Sequence, residues 1–558
     1  MARPPKQVEP IARWRLAGDV RDSMDKHHGE IRAGIGYATG PDGSPRGAAY
    51  FDGGGAHVRI SDRQAFNFGT KDFSIAVWVK FDAGVTTPIG DIVGKFDPDT
   101  RKGFSLLASA SSPGYNSIAD ARNIQFAIDS ATEPKWTDCG NPWPSNPLVN
   151  TLTVFKGGLY SGVSDADDPD RRCRVYRYAG GRDWEDCGRL GSDPMTASAN
   201  SLIVHRGDLY GGTGTYDWVK AFVGDGGANH VYRYRGAKQW EDCGAVGRGY
   251  RVLALASLNG ELYASDDRGE CHRYDGDMHW TFCGKIENDN HLHCLMAYRG
   301  KLYGGFSSIY RYDGGTTWTV IGKNPCEITQ THSLQTYGGE LYAGTWPQGK
   351  VLRYLGGSEW FDTGKMGIPT DKYLINEINA LTVYNGKLYS GVLPKAELYR
   401  YDGDGSWTLI NEFVKNKDME PSQSRSWHRL HCLTAFGGRL YAGTGRCHGD
   451  WIADKHPDAG HVHAIDIGEC VTFDDDLGAM WRHICAVRQK GGLRLYLDGK
   501  PVADSPHSSG VALDVSNSAQ LKIGFGAQNY FKGALADLQI YDRALSEDQV
   551  RAVGRISA

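Results

Sequence analysis

The chain of 558 residues is too long for one ordinary hydrophobic core and predicts two or more domains. Its 73 glycines, 15 tryptophans and 29 tyrosines predict many short strands joined by tight turns. The net charge of −4, with both signs mixed along the chain, argues against a nucleic-acid-binding protein. No apolar run approaches the roughly 20 residues that span a bilayer.

The N-terminal part of the sequence predicts strands and no secretory signal. Residues 1–16 lack the apolar stretch that forms the centre of a signal peptide. Residues 46–60 (RGAAYFDGGGAHVRI) indicate a glycine-containing hairpin, and residues 68–81 (FGTKDFSIAVWVKF) indicate a further strand.

The middle of the chain is dominated by a string of the form L-x-x-x-x-G-x-L-Y, which recurs with the period of a propeller. Each copy predicts two strands joined by a glycine-containing turn. The third copy carries two extra residues when it is aligned from Leu253. The seven copies are 152–160, 202–210, 253–263, 295–303, 334–342, 381–389 and 433–441.

A second string, R-Y-x-G-x-x-x-W, predicts the third and fourth strand of each blade. It occurs six times, ending at Trp184, Trp240, Trp280, Trp318, Trp360 and Trp407. After the seventh copy of the first string, HVHAID (461–466) predicts a degenerate third strand, and its missing partner is found upstream as KWTDCG (135–140). The sequence therefore predicts seven blades, with the last one completed by the first strand of the segment.

The C-terminal segment complements the two N-terminal stretches. It contains residues 480–502 (MWRHICAVRQKGGLRLYLDGKPV), 521–525 (LKIGF) and 531–553 (FKGALADLQIYDRALSEDQVRAV). In order, the two flanks resemble a laminin G-like, concanavalin A-type jelly roll. The predicted fold class is thus all-β, with a seven-bladed β-propeller (134–466) inserted into a laminin G-like β-sandwich built from 10–133 and 467–558.

Most cysteines occupy repeat positions that other blades fill with small or apolar residues, and we expect them to be buried and unpaired. Cys173 and Cys447 lie in long loops of neighbouring blades, where a disulfide or a shared metal site is an alternative to two unrelated thiols. Many free thiols favour the cytoplasm, whereas the jelly-roll resemblance favours an extracellular protein. The eight predicted buried cysteines are Cys139, Cys187, Cys243, Cys271, Cys283, Cys294, Cys432 and Cys485.

The repeat alignment places one polar residue at the start of each innermost strand, where the blades surround the channel mouth. These residues either cap turn backbone groups or converge on a ligand, and the change from Asn to His and Arg favours a ligand. The ring is Asn150, Asn200, Arg251, His293, His332, Asn379 and His431, with Tyr250, His291, Gln330, Glu377, His428 and Arg429 nearby.

Three long loops between second and third strands, at 161–174, 211–230 and 443–461, are expected to form one wall of the mouth. Trp218 and Trp451 in these loops are candidate ligand-binding residues. Four carboxylates are either Ca²⁺ ligands or parts of a solvated acidic loop. They are Asp165, Asp167, Asp168 and Asp170.

Two resemblances concern the propeller. YDGGTTW (312–318) is similar to the structural Asp box of sialidase-type propellers, although Arg311 stands where Ser or Thr is expected, and no sialidase site is found. The channel face also resembles ulvan-lyase-type propellers, which use His, Tyr and Arg for β-elimination. This likeness implies catalytic roles for a set of residues at the mouth, namely Tyr250, Arg251, His293, His332 and His431.

These observations predict a carbohydrate-binding protein that recognises a polysaccharide or glycan through the channel face, the jelly roll or both. The ligand-binding candidates are Asn150, Asn200, Asn379, His291, His428, Trp218 and Trp451. One alternative is an enzyme, either a polysaccharide lyase acting on a uronate-containing polymer or a glycoside hydrolase. The other is a component of a protein assembly, because propellers serve all three purposes.

Overall fold

A computed structural model describes residues 8–84, 90–109, 122–143, 148–164, 173–215, 228–287, 291–368, 376–415, 428–446, 457–506 and 512–555. Over these residues the chain is all-β and consists of a seven-bladed propeller and a two-sheet sandwich, which confirms the predicted fold class. None of the helices in the described ranges combines the length and the apolar character that a membrane crossing requires.

Nine strands and one short 3₁₀ helix (Gln64–Phe66) precede the propeller. The strands are β1 (Ala12–Trp14), β2 (Glu30–Arg32), β3 (Gly36–Ala38), β4 (Ala48–Asp52), β5 (His57–Ile60), β6 (Phe73–Phe81), β7 (Asp91–Asp97), β8 (Lys102–Ser109) and β9 (Asn123–Ser130).

One strand, β10 (Lys135–Asp138), precedes the first three blades in the sequence. Blade 1 contains β11 (Leu148–Phe155), β12 (Gly158–Ser164), β13 (Arg174–Gly180) and β14 (Asp183–Arg189). Blade 2 contains β15 (Ser198–His205), β16 (Asp208–Gly214), β17 (His230–Gly236) and β18 (Gln239–Ala245). Blade 3 contains β19 (Val252–Leu258), β20 (Glu261–Asp266), β21 (Glu270–Gly276) and β22 (His279–Lys285).

The remaining blades continue the pattern, with a 3₁₀ turn at Pro325–Glu327 between blades 4 and 5. Blade 4 contains β23 (Cys294–Tyr298), β24 (Lys301–Gly305), β25 (Ile309–Gly314) and β26 (Thr317–Gly322). Blade 5 contains β27 (Gln330–Tyr337), β28 (Glu340–Trp346), β29 (Lys350–Gly356) and β30 (Glu359–Lys365). Blade 6 contains β31 (Glu377–Tyr384), β32 (Lys387–Leu393), β33 (Glu397–Gly403) and β34 (Ser406–Glu412), and blade 7 contains β35 (His428–Phe436), β36 (Arg439–Arg446) and β37 (Val462–Asp466).

Six strands and one helix complete the chain. They are β38 (Glu469–Phe473), β39 (Arg482–Gln489), β40 (Gly492–Leu497), β41 (Lys500–Asp504), β42 (Leu521–Ile523), β43 (Lys532–Tyr541) and α1 (Glu547–Val553). Helix α1 begins with a capping box, in which the Ser546 hydroxyl accepts from the Gln549 N–H and the Gln549 side chain accepts from the Ser546 N–H.

The sandwich is assembled from both flanks of the propeller. One sheet has the order β3-β4-β43-β6-β39-β40-β41 with β1 added to β43, and the other has the order β2-β5-β42-β7-β8-β9-β38. Each sheet thus combines strands from the two ends of the sequence. Aromatic rings fill the space between the sheets: Phe73 lies 5.1 Å from Phe104 and 5.9 Å from Phe126, centroid to centroid.

Strand β10 closes the propeller. It pairs antiparallel with β37, from Lys135 opposite Asp466 to Asp138 opposite His463, and so supplies the fourth strand of blade 7. The sheets change between β9 and β10 and again between β37 and β38. We therefore propose domain boundaries at 133/134 and 466/467.

A repeated hydrogen bond ties neighbouring blades together. In each of blades 1 to 6, the indole N–H of the Trp that ends the second repeat string donates to a backbone carbonyl of the preceding blade at 2.9–3.0 Å. In blade 1 the donor is Trp184 and the acceptor is Cys139, just after β10. This bond therefore spans the closure of the ring.

The sandwich covers one end of the propeller. Backbone groups at the hairpins between first and second strands contact it: Gly157 N donates to Asp474 O at 2.9 Å, and Gly437 N donates to Asp474 Oδ2 at 2.9 Å. From blade 6, Asn385 Nδ2 donates to Ile128 O at 3.1 Å. Because each innermost strand runs toward these hairpins, its first residues lie at the opposite end, the channel mouth.

The cysteine predictions agree with the structure over the described residues. All eight predicted thiols are buried and unpaired, and Cys326 and Cys470 are also unpaired. Cys173 is buried, and its thiol donates to Ser198 O at 3.0 Å. Cys447 and the four loop carboxylates at 165–170 lie outside the described residues, so the expectations for them stay predictions.

Replacing Trp184 by Phe is expected to lower the free energy of unfolding of the propeller by about 1 kcal/mol, because one intramolecular hydrogen bond is lost while the ring remains apolar. Chemical denaturation followed by far-ultraviolet circular dichroism measures the change. Trp136→Phe is the matched control, since Trp136 lies on the closing strand β10 with 48% of its surface exposed. Equal effects of both substitutions would contradict a role for the inter-blade hydrogen bond.

Candidate functional site

The register of blade 3 corrects one assignment in the predicted ring. Leu255 pairs with Ala264 and Leu258 with Glu261, just as Leu152 pairs with Ser161 and Phe155 with Gly158 in blade 1. The third repeat therefore begins at Leu255 and has no extra residues. Leu253, and not Arg251, therefore occupies the ring position in blade 3. The prediction differed because LALASL contains leucines at both 253 and 255, and either one fits the start of the repeat string.

Two positions per blade consequently lie at the mouth end of the innermost strand, and they are two apart in sequence. The first is a β-bulge position in most blades, which turns its side chain away from the regular ladder. It holds Asn150, Asn200, Leu253, His293, His332, Asn379 and His431. The second holds Leu148, Ser198, Arg251, His291, Gln330, Glu377 and Arg429.

Aromatic contacts link blades 4 and 5 at the mouth. The ring of His291 stacks on Phe306 with centroids 5.0 Å apart, and His293 meets the same ring edge-on at 4.8 Å. His293 also lies 4.6 Å from His332 of blade 5. His332 Nε2 lies 2.8 Å from Gln330 Oε1, the distance of a hydrogen bond.

A buried carboxylate continues these contacts into blades 6 and 7. Glu377 Oε1 lies 3.4 Å from His332 Nδ1 and 3.0 Å from Arg429 Nη1. Asn379 Nδ2 donates to the same oxygen. We call His291, His293, Phe306, Gln330, His332, Glu377, Asn379 and Arg429 the mouth cluster; its members come from four consecutive blades.

Tyr250 and Arg251 lie beside the mouth cluster on blade 3. The buried Asp267 holds both of them: it accepts from the backbone N–H of Tyr250 at 2.9 Å and from Arg251 Nε at 3.2 Å. The guanidinium of Arg251 lies 5.5 Å from the centre of the Tyr250 ring. Arg251 also acts electrostatically on His291 and His293, lowering the pKa of each.

Burial keeps the imidazoles of the site neutral. It lowers the pKa of His291 to about 3, assisted by Arg251, and that of His332 to about 4, with Glu377 opposing the shift and Arg429 adding to it. The pKa values of His293 and His431 lie well below the usual range, chiefly through burial. Burial likewise raises the pKa of Tyr250 to about 12, so this phenol stays protonated.

The pKa of Glu377 shifts in the opposite direction to that of most buried acids. Burial acts to raise it, but Arg429, His332 and Asn379 together hold it below its ordinary value. Glu377 is thus an ionised carboxylate inside the protein, and Arg429 provides the matching charge.

The other predicted residues do not belong to the mouth cluster, although Arg429 and His332 act electrostatically on His431 and help to lower its pKa. Asn150 is a structural residue: its amide N–H group donates to Ser164 Oγ and, at 3.3 Å, to Ala199 O of the next blade. Asn200 and His431 are buried in their blades, and His428 joins blades 6 and 7 through its backbone N–H, which donates to Pro394 O at 2.8 Å. Trp218 and Trp451 lie outside the described residues.

Sequence reasoning missed Phe306. It follows Gly305 where Thr213, Thr345 and Thr444 occur in blades 2, 5 and 7, and the hydroxyl of each threonine donates to a nearby backbone carbonyl at 2.6–2.9 Å. In blade 4 this structural role is absent, and an aromatic ring packs on two histidines instead. The substitution of Phe for Thr within an aligned repeat was the signal available in the sequence.

Residues 469–551 match the model of a laminin G-type family described as the Concanavalin A-like lectin/glucanases superfamily. These residues form β38 to β43 and α1 of the sandwich, so the resemblance inferred from the sequence is confirmed for this part of the chain. No curated protein matches the chain.

Several solved structures resemble the chain at low identity. Trypanosoma rangeli sialidase is 10% identical with a TM-score of 0.31, over 76% of this chain and 98% of that one. Domain 4 of AbnA, an extracellular arabinanase from Geobacillus stearothermophilus in complex with arabinotriose, is 10% identical with a TM-score of 0.27, over 99% and 100%. The WD40 propeller domain of Doa1 is 10% identical with a TM-score of 0.39, over 60% and 97%.

The stability of the protein should fall in acid partly through His332. Because the folded-state pKa of about 4 lies below the ordinary value of 6.5, folding favours the neutral imidazole. This contribution is fully present above pH 6.5 and is lost as the pH falls toward 4, by roughly 3 kcal/mol at the lower limit.

Denaturation midpoints at about pH 7 and pH 4.5 test this expectation. His332→Gln should show a smaller acid-induced loss than the unaltered protein, whereas His279→Gln, at an exposed histidine of blade 3, should not. An unchanged pH dependence in His332→Gln would show that His332 is not held neutral.

Proposed function

We propose that the channel mouth binds the acidic sugar units of a polysaccharide or glycan. The observation that carries this proposal is the continuous series of contacts through the mouth cluster, from Phe306 across His291, His293 and His332 to Glu377 and Arg429. Aromatic and polar side chains that converge at one place on a rigid scaffold are typical of a ligand site.

The outer members of the cluster suit a sugar ring. His291, Phe306 and Gln330 are half-buried, whereas the remaining members lie below the surface. The stacked pair of His291 and Phe306 provides an apolar face, and the amide of Gln330 provides a donor and an acceptor beside it. A pyranose ring has an apolar face surrounded by hydroxyl groups. It is therefore bound well by an apolar surface with a hydrogen-bond donor and acceptor beside it.

The charged residues in and beside the mouth cluster suit an acidic sugar. Arg251 on one side and Arg429 on the other flank the histidines, and guanidinium groups match carboxylate and sulfate oxygens in geometry and charge. Asp267 and Glu377 hold the two guanidinium groups in place, so they are preorganised rather than mobile.

Replacing Phe306 by Thr restores the residue found in three other blades, so the fold should tolerate it while the stacking surface is lost. We expect at least a tenfold weaker affinity for acidic polysaccharides, measured by isothermal calorimetry with polygalacturonate, alginate and a sulfated glycosaminoglycan, and with dextran as the neutral polymer. Val163→Thr, at the equivalent position of blade 1, is the control and should bind normally. Absence of binding to every acidic polymer, or equal binding by both variants, would overturn the proposal.

One observation favours a second function, polysaccharide lyase activity. The imidazoles of His293 and His332 are kept neutral chiefly by burial, to which Arg429 adds at both residues and Arg251 at His293, and neutral imidazole accepts a proton. In β-elimination a base removes the C5 proton of a uronate, the C4–oxygen bond breaks, a C4=C5 double bond forms, and the leaving oxygen gains a proton. An arginine would neutralise the carboxylate, and the protonated Tyr250 would be the acid.

Ultraviolet absorbance of the unsaturated uronyl product detects this reaction directly. If the lyase function is correct, one of the uronate polymers gives a rising signal that falls by about 10²-fold or more in His332→Gln and persists in His279→Gln. Binding without such a signal would leave recognition as the function of the site and exclude elimination on the polymers tested.

A further inference from the structure

A second group of carboxylate and imidazole side chains lies on blade 3, outside the mouth cluster. Asp266 ends strand β20, and Glu270 and His272 lie on β21 after the intervening turn. One donor atom from each of these three residues, here called the blade 3 triad, lies within 4.8 Å of the other two. His272 Nε2 and Glu270 Oε2 are 3.8 Å apart.

The local fold explains how three residues so close in sequence converge. Residues two apart on a strand share a face, so Glu270 and His272 project to the same side of β21. The tight turn between β20 and β21 then brings Asp266 next to them. Asp266 Oδ1 stabilises this turn by accepting hydrogen bonds from the backbone N–H groups of Arg268 and Glu270 at 3.0 and 2.8 Å.

The second oxygen of Asp266 is the feature that points to a ligand. Asp266 has no exposed surface, and its Oδ2 accepts no hydrogen bond from any described residue. Burying a carboxylate oxygen without a partner is costly, and Glu270 brings a second negative charge into the same space. Across the described ranges no lysine or arginine forms an ion pair with either acid.

Two glycines pack the backbone directly over the triad. A Cβ atom on Gly247 would lie 2.5 Å from His272 Cε1 and 3.1 Å from Glu270 Oε2. One on Gly249 would lie 2.8 Å from Asp266 Oδ2. The loop joining blades 2 and 3 therefore forms a cover in which only glycine fits, so the space above the three donor atoms is kept clear of side chains.

We propose that Asp266, Glu270 and His272 bind one divalent transition-metal ion, best matched by Zn²⁺. Two carboxylate oxygens and one imidazole nitrogen suit Zn²⁺ or Mn²⁺, whereas Ca²⁺ prefers oxygen donors alone. This site is distinct from the acidic loop at 165–170 that the sequence suggested for Ca²⁺. An ion here would neutralise the buried Asp266 and the half-buried Glu270.

The position of the ion gives it a structural effect at the mouth. Asp267 follows the metal ligand Asp266 directly and holds Tyr250 and Arg251. Fixing the turn with a metal ion therefore fixes the guanidinium that flanks the mouth cluster. The metal site itself does not depend on the proposed glycan, and it is tested without any sugar.

Calorimetric titration of the chelator-treated full chain with ZnCl₂, MnCl₂ and CaCl₂ tests the proposal. We expect one equivalent of Zn²⁺ to bind with at least tenfold higher affinity than Ca²⁺ and to raise the midpoint of thermal unfolding. Asp266→Asn and His272→Gln should each lower Zn²⁺ affinity at least tenfold. His279→Gln removes an exposed histidine from the same blade and should change neither quantity.

A comparison without metal separates a metal site from a merely structural cluster. Asp266→Asn removes a buried carboxylate whose Oδ2 accepts no hydrogen bond from any described residue, so the metal-free variant should unfold at the same temperature as the metal-free protein or at a higher one. If Asp266→Asn fails to fold, Glu270→Gln at the half-buried ligand provides the same test of Zn²⁺ affinity. The proposal is overturned if no ion binds stoichiometrically, if Ca²⁺ binds more tightly than Zn²⁺, or if the variants bind Zn²⁺ normally.

Discussion

The pairing of β10 with β37 is the constraint on which the rest of the molecule depends. The four residues of β10, at the start of the propeller, complete a blade that otherwise ends at Asp466, the partner of Lys135 in this pairing. The pairing closes the ring of blades and removes two exposed sheet edges. It also brings β9 and β38 together, so that they pair as neighbours in the sandwich. One short antiparallel ladder thereby fixes both domains.

The residues of both proposed sites include several at which individual blades depart from the repeat. At the position of Thr213, Thr345 and Thr444, a threonine hydroxyl donates to a backbone carbonyl in three blades. The equivalent residue is Phe306 in blade 4, which packs on histidines, and Asp266 in blade 3. The inter-blade hydrogen bonds of the tryptophans remain regular throughout blades 1 to 6. A rigid and repetitive framework thus carries an irregular arc of functional groups on blades 3 to 7.

Much of this organisation could be predicted from the sequence, because repeats reveal blade number and a missing strand reveals the mode of closure. The ring of polar residues was also predicted, apart from the two-residue error at Leu253. That error arose because leucines two apart fit the same strand pattern equally well, and only the pairing of Leu255 with Ala264 distinguishes them. The ion pair of Glu377 with Arg429 and the role of Phe306 depend on side-chain directions across blades, which a linear pattern does not contain.

The sandwich has a consequence for how any ligand reaches the mouth. Near the hairpin ends of their blades, Gln335, Thr382 and Thr434 share a small polar junction with Gln125 and Asp474 of the sandwich. At blades 5 to 7 the sandwich therefore covers the end of the propeller opposite the mouth. A polysaccharide bound as we propose would approach these blades from the uncovered side only.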